Sequence, residues 1–269
     1  LYPYYAGNTD LVKRLHREIG VLRKVQHPNI VRYLDSGQRQ SCCYYVMEIL
    51  TGESVEQRLE RGGKLSEHEA CQVVLAVARG LAEAHRHQAY HRDVKPGNIF
   101  LTHDGQIKLM DFGLARDETD AYQTQLGVIV GTPLYLAPEQ ARGEKNIDAR
   151  ADVYALGITL FHCVTGHIPF EELSVPLILT KKTAEAIPSP KEFNPDVSDN
   201  LTTVISGMCE RDVSLRYPNM EAVIEDLDRH LAGQPALWGR ETAKRRTVVI
   251  RPAVPAVASA VFDLSLIHI

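Results

Sequence analysis

Four short motifs follow one another in a fixed order through the middle of the chain. The first is the loop Tyr90–Asn98, with the sequence YHRDVKPGN, and Asp111-Phe112-Gly113 comes next. Gly131-Thr132-Pro133 and Ala137-Pro138-Glu139 complete the series. Each motif alone is a weak signal, because an aspartate in a loop more often caps a turn than binds a metal. Their joint order and spacing constrain the fold far more than any one of them does.

Length, charge and cysteine content set outer limits. The 269 residues suffice for one large domain or for two small lobes around a cleft. A formal net charge of −4 argues against general nucleic-acid binding, which needs a basic surface. The cysteines number 5 and form no C-x-x-C pair, so we expect free thiols in a reducing, cytoplasmic compartment. No apolar run reaches the length of a membrane span, so we expect membrane attachment only through parts outside this sequence.

The first part of the chain predicts one amphipathic helix followed by two strands. Leucines at helical spacing define the helix from about Asp10 to Val25, and Glu18 falls on the same apolar stripe. A buried carboxylate needs a partner, and none is near Glu18 in sequence. Strands are predicted over Ile30–Leu34 and Cys42–Leu50, with a turn around Ser36-Gly37 between them.

Most of the chain after Thr51-Gly52 is predicted to be helical. Ser66 and Glu69 have the spacing of a capping box, so a helix is expected to begin there. It should reach about His87, with His85 on its apolar side. The other predicted elements are strands over Ile99–Thr102 and Ile107–Met110, a largely buried helix over Ala149–Val164 and an amphipathic helix from Met220 to Leu231.

Together the motifs resemble the protein kinase family. The resemblance extends from about Leu11 to Leu231. It implies an α+β, two-lobed fold with a partial β-rich N-lobe and a mainly helical C-lobe. Lys95, two positions after Asp93, is similar to the lysine of serine/threonine kinases rather than to tyrosine kinases. The segment from Ala137 to Phe170 is most similar to the bacterial Hanks-type branch.

The resemblance implies catalytic roles for four residues. Asp93 would accept the proton of the substrate hydroxyl, and Lys95 would steady the γ-phosphoryl oxygens of ATP. Asn98 and Asp111 would supply oxygen ligands to Mg²⁺. Two plainer interpretations stay open, an Asx-turn for Asn98 and a solvated charge for Lys95.

Nucleotide-binding roles are implied for five further residues. Met47 matches the gatekeeper position, and backbone groups of Glu48 and Leu50 would contact the adenine edge. Phe100 would lie beneath the adenine ring. Simple core packing competes with these roles for Met47 and Phe100. Glu18 matches the helix glutamate that pairs with the ATP-anchoring lysine of the family.

Three structural arrangements are implied as well. Asp152 would accept backbone hydrogen bonds at the base of an apolar spine that joins the lobes. Glu139 and Arg216, far apart in sequence, would form a buried ion pair. The spine would consist of Leu22, Tyr33, His91 and Phe112.

Regulation by phosphorylation is implied by Arg92. An arginine beside the catalytic aspartate can bind a phosphate carried by the loop that follows Gly113. The candidate phosphate acceptors are Thr119, Tyr122 and Thr124, and we favour Thr124.

The sequence departs from the family at its N-terminal side. It shows neither the glycine-rich loop nor the strand lysine, so we expect a fragment that binds ATP weakly. The expected organisation is a partial N-lobe over residues 1–50, a C-lobe over 51–232 and a linker over 233–263. Residues 264–269 resemble a translated sequencing adapter and are expected to be read-through.

We therefore expect a kinase that transfers the ATP γ-phosphoryl group to serine or threonine hydroxyls of protein substrates. A pseudokinase that acts as a binding scaffold is the alternative, and the nucleotide sequence upstream would distinguish the two. A small-molecule phosphotransferase is disfavoured by the segment Gly131–Glu139, which supports a peptide substrate in protein kinases.

Overall fold

The computed structural model describes residues 20, 24–39, 42–112, 133–171 and 173–238. Several residues singled out by the sequence lie outside these ranges, namely Glu18, Leu22, Gly113, Thr119, Tyr122, Thr124, Gly131 and Thr132. The first predicted helix lies almost wholly outside them too. Roles assigned to these residues stay predictions.

A two-stranded antiparallel sheet forms the first part of the described structure. Strand β1 (Tyr33–Arg39) pairs with β2 (Cys42–Met47). The turn predicted at Ser36-Gly37 is wrong, because both residues lie inside β1. Gly37 is opposite Tyr44, and a Cβ at Gly37 would lie 2.6 Å from the Tyr44 hydroxyl. The glycine therefore leaves room for an aromatic ring across the strands rather than marking a turn.

A second sheet has three antiparallel strands in the order β3-β4-β5. Its strands are β3 (Gly52–Ser54), β4 (Ile99–Thr102) and β5 (Ile107–Leu109). The last two match the predicted strands to within one residue. A parallel bridge between Ile30 and Leu109, with the Val31 N–H donating to the Leu109 carbonyl at 2.9 Å, connects this sheet to the segment before β1.

Eight helices follow in the described part of the chain. They are α1 (Val55–Gly62), α2 (Glu67–Arg86), α3 (Pro138–Ala141), α4 (Arg150–Thr165), α5 (Val175–Ala184), α6 (Pro190–Phe193), α7 (Asp199–Met208) and α8 (Met220–Leu231). Single 3-10 turns lie at Pro96–Asn98 and Pro133–Tyr135. Helices α2, α4 and α8 agree with the predicted elements. No helix among the described residues is both long and apolar enough to cross a membrane.

The predicted capping box of α2 forms only in part. The Ser66 side chain accepts a hydrogen bond from the Glu69 N–H at 3.2 Å, as expected of an N-cap. The Glu69 carboxylate lies 3.4 Å from Arg58 of α1. The Glu69 carboxylate thus pairs with an arginine of the neighbouring helix instead of accepting a hydrogen bond from the Ser66 N–H, which would complete the capping box.

The chain packs against the helical lobe beyond α8. Ala236 is buried, and Trp238 stacks on Tyr217 with ring centroids 6.1 Å apart. The buried Asp226 carboxylate accepts hydrogen bonds from the backbone of Leu237 and Trp238 at 2.6 and 3.0 Å. The linker expected to begin at residue 233 is therefore corrected: residues 234–238 belong to the packed lobe.

A buried ion pair joins α3 to the loop before α8. The Arg216 guanidinium donates to both oxygens of Glu139 at 2.7 and 2.9 Å, and both residues are buried. Arg216 also donates to the carbonyl oxygens of Glu210 and Arg150. The pair expected from the resemblance is present, and bidentate geometry compensates the removal of its charges from water.

Replacement of Glu139 by glutamine tests this pair. We expect Glu139→Gln to lower the free energy of unfolding by about 3–5 kcal/mol, because the Arg216 charge is left buried without a counter-charge. Urea unfolding measures the change. The control is Glu144→Gln, which removes an exposed ion pair with Arg142 and should change stability by about 1 kcal/mol or less. Equal losses in the two variants would contradict a special role for the buried pair.

Candidate active site

His91 anchors the loop that follows α2. It is fully buried, and its ring packs on Phe112 with centroids 4.6 Å apart. Its Nε2 donates to the Met110 carbonyl at 2.9 Å, and its Nδ1 accepts from the Asp93 N–H at 3.2 Å. Burial lowers the pKa of His91 below its ordinary value. The ring is therefore neutral, with its proton on Nε2.

The buried carboxylate of Asp152, in the first turn of α4, fixes the backbone of the same loop. Its oxygens accept the N–H groups of His91 at 2.8 Å and Arg92 at 2.7 Å. His85 of α2 donates to it through Nε2 at 2.8 Å. Burial acts to raise the pKa of Asp152, but the hydrogen bond from His85 and the charges nearby outweigh burial and hold the pKa below its ordinary value. Arg92 has a φ of 62°, an unfavourable conformation that these bonds help to hold.

Two residues of the loop, Lys95 and Asn98, converge on the carboxylate of Asp93. Lys95 Nζ lies 3.2 Å from Asp93 Oδ2. The side-chain amide of Asn98 donates to the Asp93 carbonyl at 2.8 Å and lies 3.3 Å from Asp93 Oδ2. The 3-10 turn that begins at Pro96 brings Asn98 back toward Asp93. These contacts orient the Asp93 carboxylate from two sides.

Asp111 is brought to the same loop by its two neighbours. The Met110 N–H donates to the Asn98 carbonyl at 2.9 Å, and Phe112 packs on His91. Asp111 itself has a φ of 56°. Among the described residues, no group donates a hydrogen bond to its carboxylate. The four predicted catalytic residues therefore lie in one region of the structure.

A small cavity lies against the catalytic loop. Its walls include Asp93 from the loop, Tyr135 and Leu136 from the segment that follows residue 132, and Gln140 of α3. This recess thus lies between the loop that contains Asp93 and the segment that carries the third and fourth sequence motifs.

The segment 48–50, predicted to contact the adenine edge and called the hinge below, is held by the side chain of Glu48 as well as by its backbone. Glu48 Oε1 accepts from the Arg32 N–H at 2.9 Å and from Lys108 Nζ at 2.8 Å. Burial acts to raise the pKa of Glu48, but the hydrogen bonds from Lys108 and the Arg32 N–H together with the nearby positive charges outweigh burial, so the pKa lies below its ordinary value. The Glu48 N–H donates to the Arg32 carbonyl at 3.0 Å and is not free for a ligand. The backbone groups proposed to contact the adenine edge are therefore the Glu48 carbonyl and the Leu50 N–H.

The structure brings Phe100 to the same region. Phe100 of β4 is the cross-strand partner of Lys108 in β5, so the two side chains lie on one face of the sheet. Lys108 in turn contacts Glu48. Met47 and Leu50 are partly buried against the hydrophobic core. Core packing therefore accounts for part of the role of Met47, while Phe100 remains partly exposed.

Sequence reasoning missed the parts played by His85 and Lys108. The sequence places His85 only on the apolar face of a helix. That placement is itself a signal, because a titratable group on a buried face needs a polar partner. Lys108 lies between two apolar residues of a short strand, which gave no indication of its partner. Its contact with Glu48 joins residues 60 positions apart.

Replacement of Asp152 by asparagine tests the anchoring of the loop. We expect Asp152→Asn to lower the free energy of unfolding at pH 7 by on the order of 3 kcal/mol, because a charged acceptor of three hydrogen bonds is lost. The folded pKa of Asp152 is below the unfolded value of about 3.9, so its stabilisation is complete above that pH and is lost as the pH falls further. The difference between wild type and variant should therefore shrink below about pH 4 in urea unfolding.

The exposed Asp196 provides the control for this experiment. Asp196→Asn should leave stability unchanged at both pH values. A stability difference between wild type and Asp152→Asn that stayed constant down to pH 2.5, on the order of one unit below the unfolded pKa, would contradict the assignment.

Comparisons with known proteins agree with this geometry. A family model described as "Protein kinase domain" matches residues 5–227. "Tyrosine-protein kinase MasK" of Myxococcus xanthus is 34% identical over 253 residues, covering 88% of this chain and 39% of the relative. "Probable serine/threonine-protein kinase PknB" of Lactococcus lactis is 35% identical, covering 82% and 35%. "Serine/threonine-protein kinase PrkC" of Bacillus subtilis is 35% identical, covering 83% and 34%.

The chain spans about two fifths or less of the length of these relatives. The names of these relatives differ in the residue that is phosphorylated: one is called a tyrosine kinase and two are called serine/threonine kinases. The fold is the α+β arrangement expected, with a small antiparallel sheet on one side and a helical lobe on the other. The family match covers most of the chain, which therefore belongs to the protein kinase domain family.

Proposed function

We propose that the chain catalyses transfer of the γ-phosphoryl group of ATP to serine or threonine hydroxyls of protein substrates. Membership of the family implies ATP and a divalent metal. The observation that carries the proposal is the orientation of Asp93, whose Oδ2 lies 3.2 Å from Lys95 Nζ and 3.3 Å from Asn98 Nδ2. The loop that contains Asp93 also borders the segment Pro133–Gln140, which carries parts of the third and fourth sequence motifs.

Asp93 is the group suited to receive the hydroxyl proton. A general base must be held within hydrogen-bond distance of the proton that it takes, and fixed geometry is its main requirement. Lys95 and Asn98 provide that geometry. The ammonium group of Lys95, held beside Asp93, would stabilise the negative charge that develops on the transferred phosphoryl group.

The residues present fit a divalent ion that prefers oxygen. Asn98 uses its amide N–H groups toward Asp93, which leaves its carbonyl oxygen for another partner. The Asp111 carboxylate receives no hydrogen bond among the described residues. One carboxylate and one amide oxygen are the donor types that suit Mg²⁺, which we propose as the metal. When bound, this ion would offset phosphate charge.

The hinge gives a place for the adenine ring. The Glu48 carbonyl and the Leu50 N–H would bind its edge, with Phe100 and Met47 against its faces. The carboxylate of Glu48 contributes indirectly, because its bonds to Arg32 and Lys108 hold the segment in place. Glu18, which lies outside the described residues, would pair with the ATP-anchoring lysine of the family.

The choice of serine and threonine rests on Lys95. Its position two residues after Asp93 is similar to the serine/threonine branch, and two of the relatives reported above bear that name. The relative from Myxococcus xanthus is named a tyrosine kinase, so the acceptor residue has to be identified by experiment. Phosphoamino-acid analysis of the labelled product decides it: phosphotyrosine as the main product would contradict the proposed acceptor.

The pseudokinase alternative requires that the catalytic groups be lost or displaced. Asp93, Lys95, Asn98 and Asp111 are all present and adjacent. No observation on the described residues favours a scaffold without catalysis.

Removal of the proposed base tests the activity. In the complete gene product, we expect Asp93→Asn to lower kcat about 10²–10⁴-fold, because the hydroxyl proton has no acceptor. Nucleotide affinity should change little. Transfer of labelled phosphate from ATP to a protein acceptor, and binding of a fluorescent ATP analogue, measure the two quantities. The control is Asp104→Asn, an exposed residue in the turn between β4 and β5 that should retain full activity.

We further propose that phosphorylated Thr124 pairs with Arg92. A phosphate would form a charge-assisted hydrogen bond with the guanidinium group and order the loop around the site. Thr124→Ala should therefore lower turnover severalfold, and phosphatase treatment should do the same to the wild type but not to the variant. Thr119→Ala is the matched control. Unchanged turnover in Thr124→Ala would remove this regulatory role.

A further inference from the structure

Lys182 of α5 is a buried amine that the proposed catalytic mechanism does not use. The residue is 1% exposed, and its Nζ has no hydrogen-bond partner in the part of the chain that the structure describes. A lysine in such a place is unusual, because an isolated ammonium group loses a large hydration free energy when it is buried. The side chain must therefore either find a counter-charge or give up its proton.

The surroundings of Lys182 offer a ring and a second cation. Its Nζ lies 5.0 Å from the centroid of the Tyr154 ring in α4. The Arg216 guanidinium lies 5.1 Å from the centroid of the same ring. Arg216 is already matched by both oxygens of Glu139. Two cations would share one ring and one carboxylate if Lys182 were protonated.

Among the described residues, the other titratable groups near α5 offer Lys182 no unpaired negative charge. They are Glu139 of α3, Tyr135 of the 3-10 turn, Tyr154 of α4, Cys209 at the end of α7, and Arg211 and Arg216 of the following loop, with Lys181 and Glu185 on or beside α5 itself. Burial raises the pKa of Cys209 to about 12, so its thiol is neutral. Tyr135 is hydrogen-bonded to His162. Glu185 is exposed and paired with Lys181.

We propose that α5 is docked through a neutral Lys182 and that proton uptake by this amine opens the helix from its neighbours. Burial lowers the pKa of Lys182 from its ordinary 10.5 to about 7 in the docked state. In the open state the amine is hydrated and recovers its ordinary pKa. The open state therefore binds more protons than the docked state at neutral and mildly alkaline pH.

The sign and range of the effect follow from these two values. Between about pH 10.5 and pH 7, each unit of acidification favours the open state about tenfold. Below about pH 7 the docked amine is protonated too, and the dependence levels off. The population of the open state should rise up to about 90-fold between pH 9 and pH 6.

The position of α5 gives this opening a consequence for the rest of the lobe. Helix α5 packs on α3 and on the turn Pro133–Tyr135, which forms one wall of the recess at Asp93. Tyr154 belongs to the same helix as Asp152. Acidification would thus loosen one support of the catalytic loop region. This inference concerns the packing of the lobe and does not depend on phosphoryl transfer.

Amide hydrogen exchange of the complete gene product between pH 6 and pH 9 tests the proposal. Protection factors, corrected for intrinsic exchange, should fall across this range for the amides of α5 as the pH decreases. Amides of the buried helix α2 should change much less. Lys182→Met keeps the length of the side chain and cannot take up a proton. It should remove the pH dependence and increase the protection of α5 most strongly at pH 6.

Lys181→Met is the matched control, because Lys181 is paired with Glu185 at the surface of the same helix. It should retain the pH dependence of the wild type. A direct readout is the titration of Lys182 by NMR with ¹³Cε-labelled lysine, the signal being assigned by its absence in Lys182→Met. A midpoint near pH 7 supports the proposal, within the range set by burial.

Four results would overturn the proposal. They are a titration midpoint near the ordinary value of about 10.4, an unchanged pH dependence in Lys182→Met, weaker protection of α5 in that variant at every pH, and an equal response of α2 and α5. The last result would mean that the whole lobe unfolds together rather than that α5 opens.

Discussion

The buried carboxylate of Asp152 is the interaction on which the active-site geometry depends. It connects α2 through His85 and the catalytic loop through two backbone N–H groups. The loop contains a residue with unfavourable backbone dihedrals, Arg92, and such a conformation persists only when surrounding contacts determine it. The position of Asp93, one residue later, therefore follows from a carboxylate that never meets the substrate.

A second set of contacts connects the small sheet to the helical lobe. The bridge between Ile30 and Leu109 joins the segment before β1 to the second sheet, and the Glu48–Lys108 pair joins the segment after β2 to the same sheet. Both contacts end on β5, which leads directly into Asp111. One short strand thus contacts Glu48 of the proposed hinge and leads into the proposed metal ligand Asp111, so a displacement of β5 would affect both.

Local patterns predicted much of the fold and the order of the site residues. Strands β4 and β5 and helices α2, α4 and α8 were visible in apolar periodicity, and the catalytic loop was visible as a motif. What failed depended on contacts distant in sequence. The sequence around Gly37 wrongly predicts a turn, because the role of this glycine, making room for Tyr44, exists only once β2 is paired. Lys182 gives no signal in the sequence, since its surroundings, such as the Tyr154 ring of α4, are distant in sequence.

The protonation state of His91 limits how the proposed active site can respond to acidity. A histidine near a catalytic aspartate ordinarily titrates near neutral pH and can cause an inflection there in a pH–rate profile. Here both ring nitrogens are occupied, one as donor and one as acceptor, and the ring is sealed from solvent. His91 thus stays neutral and takes up no proton at physiological pH. An inflection near neutrality in the pH–rate profile would therefore come from the titration of another group.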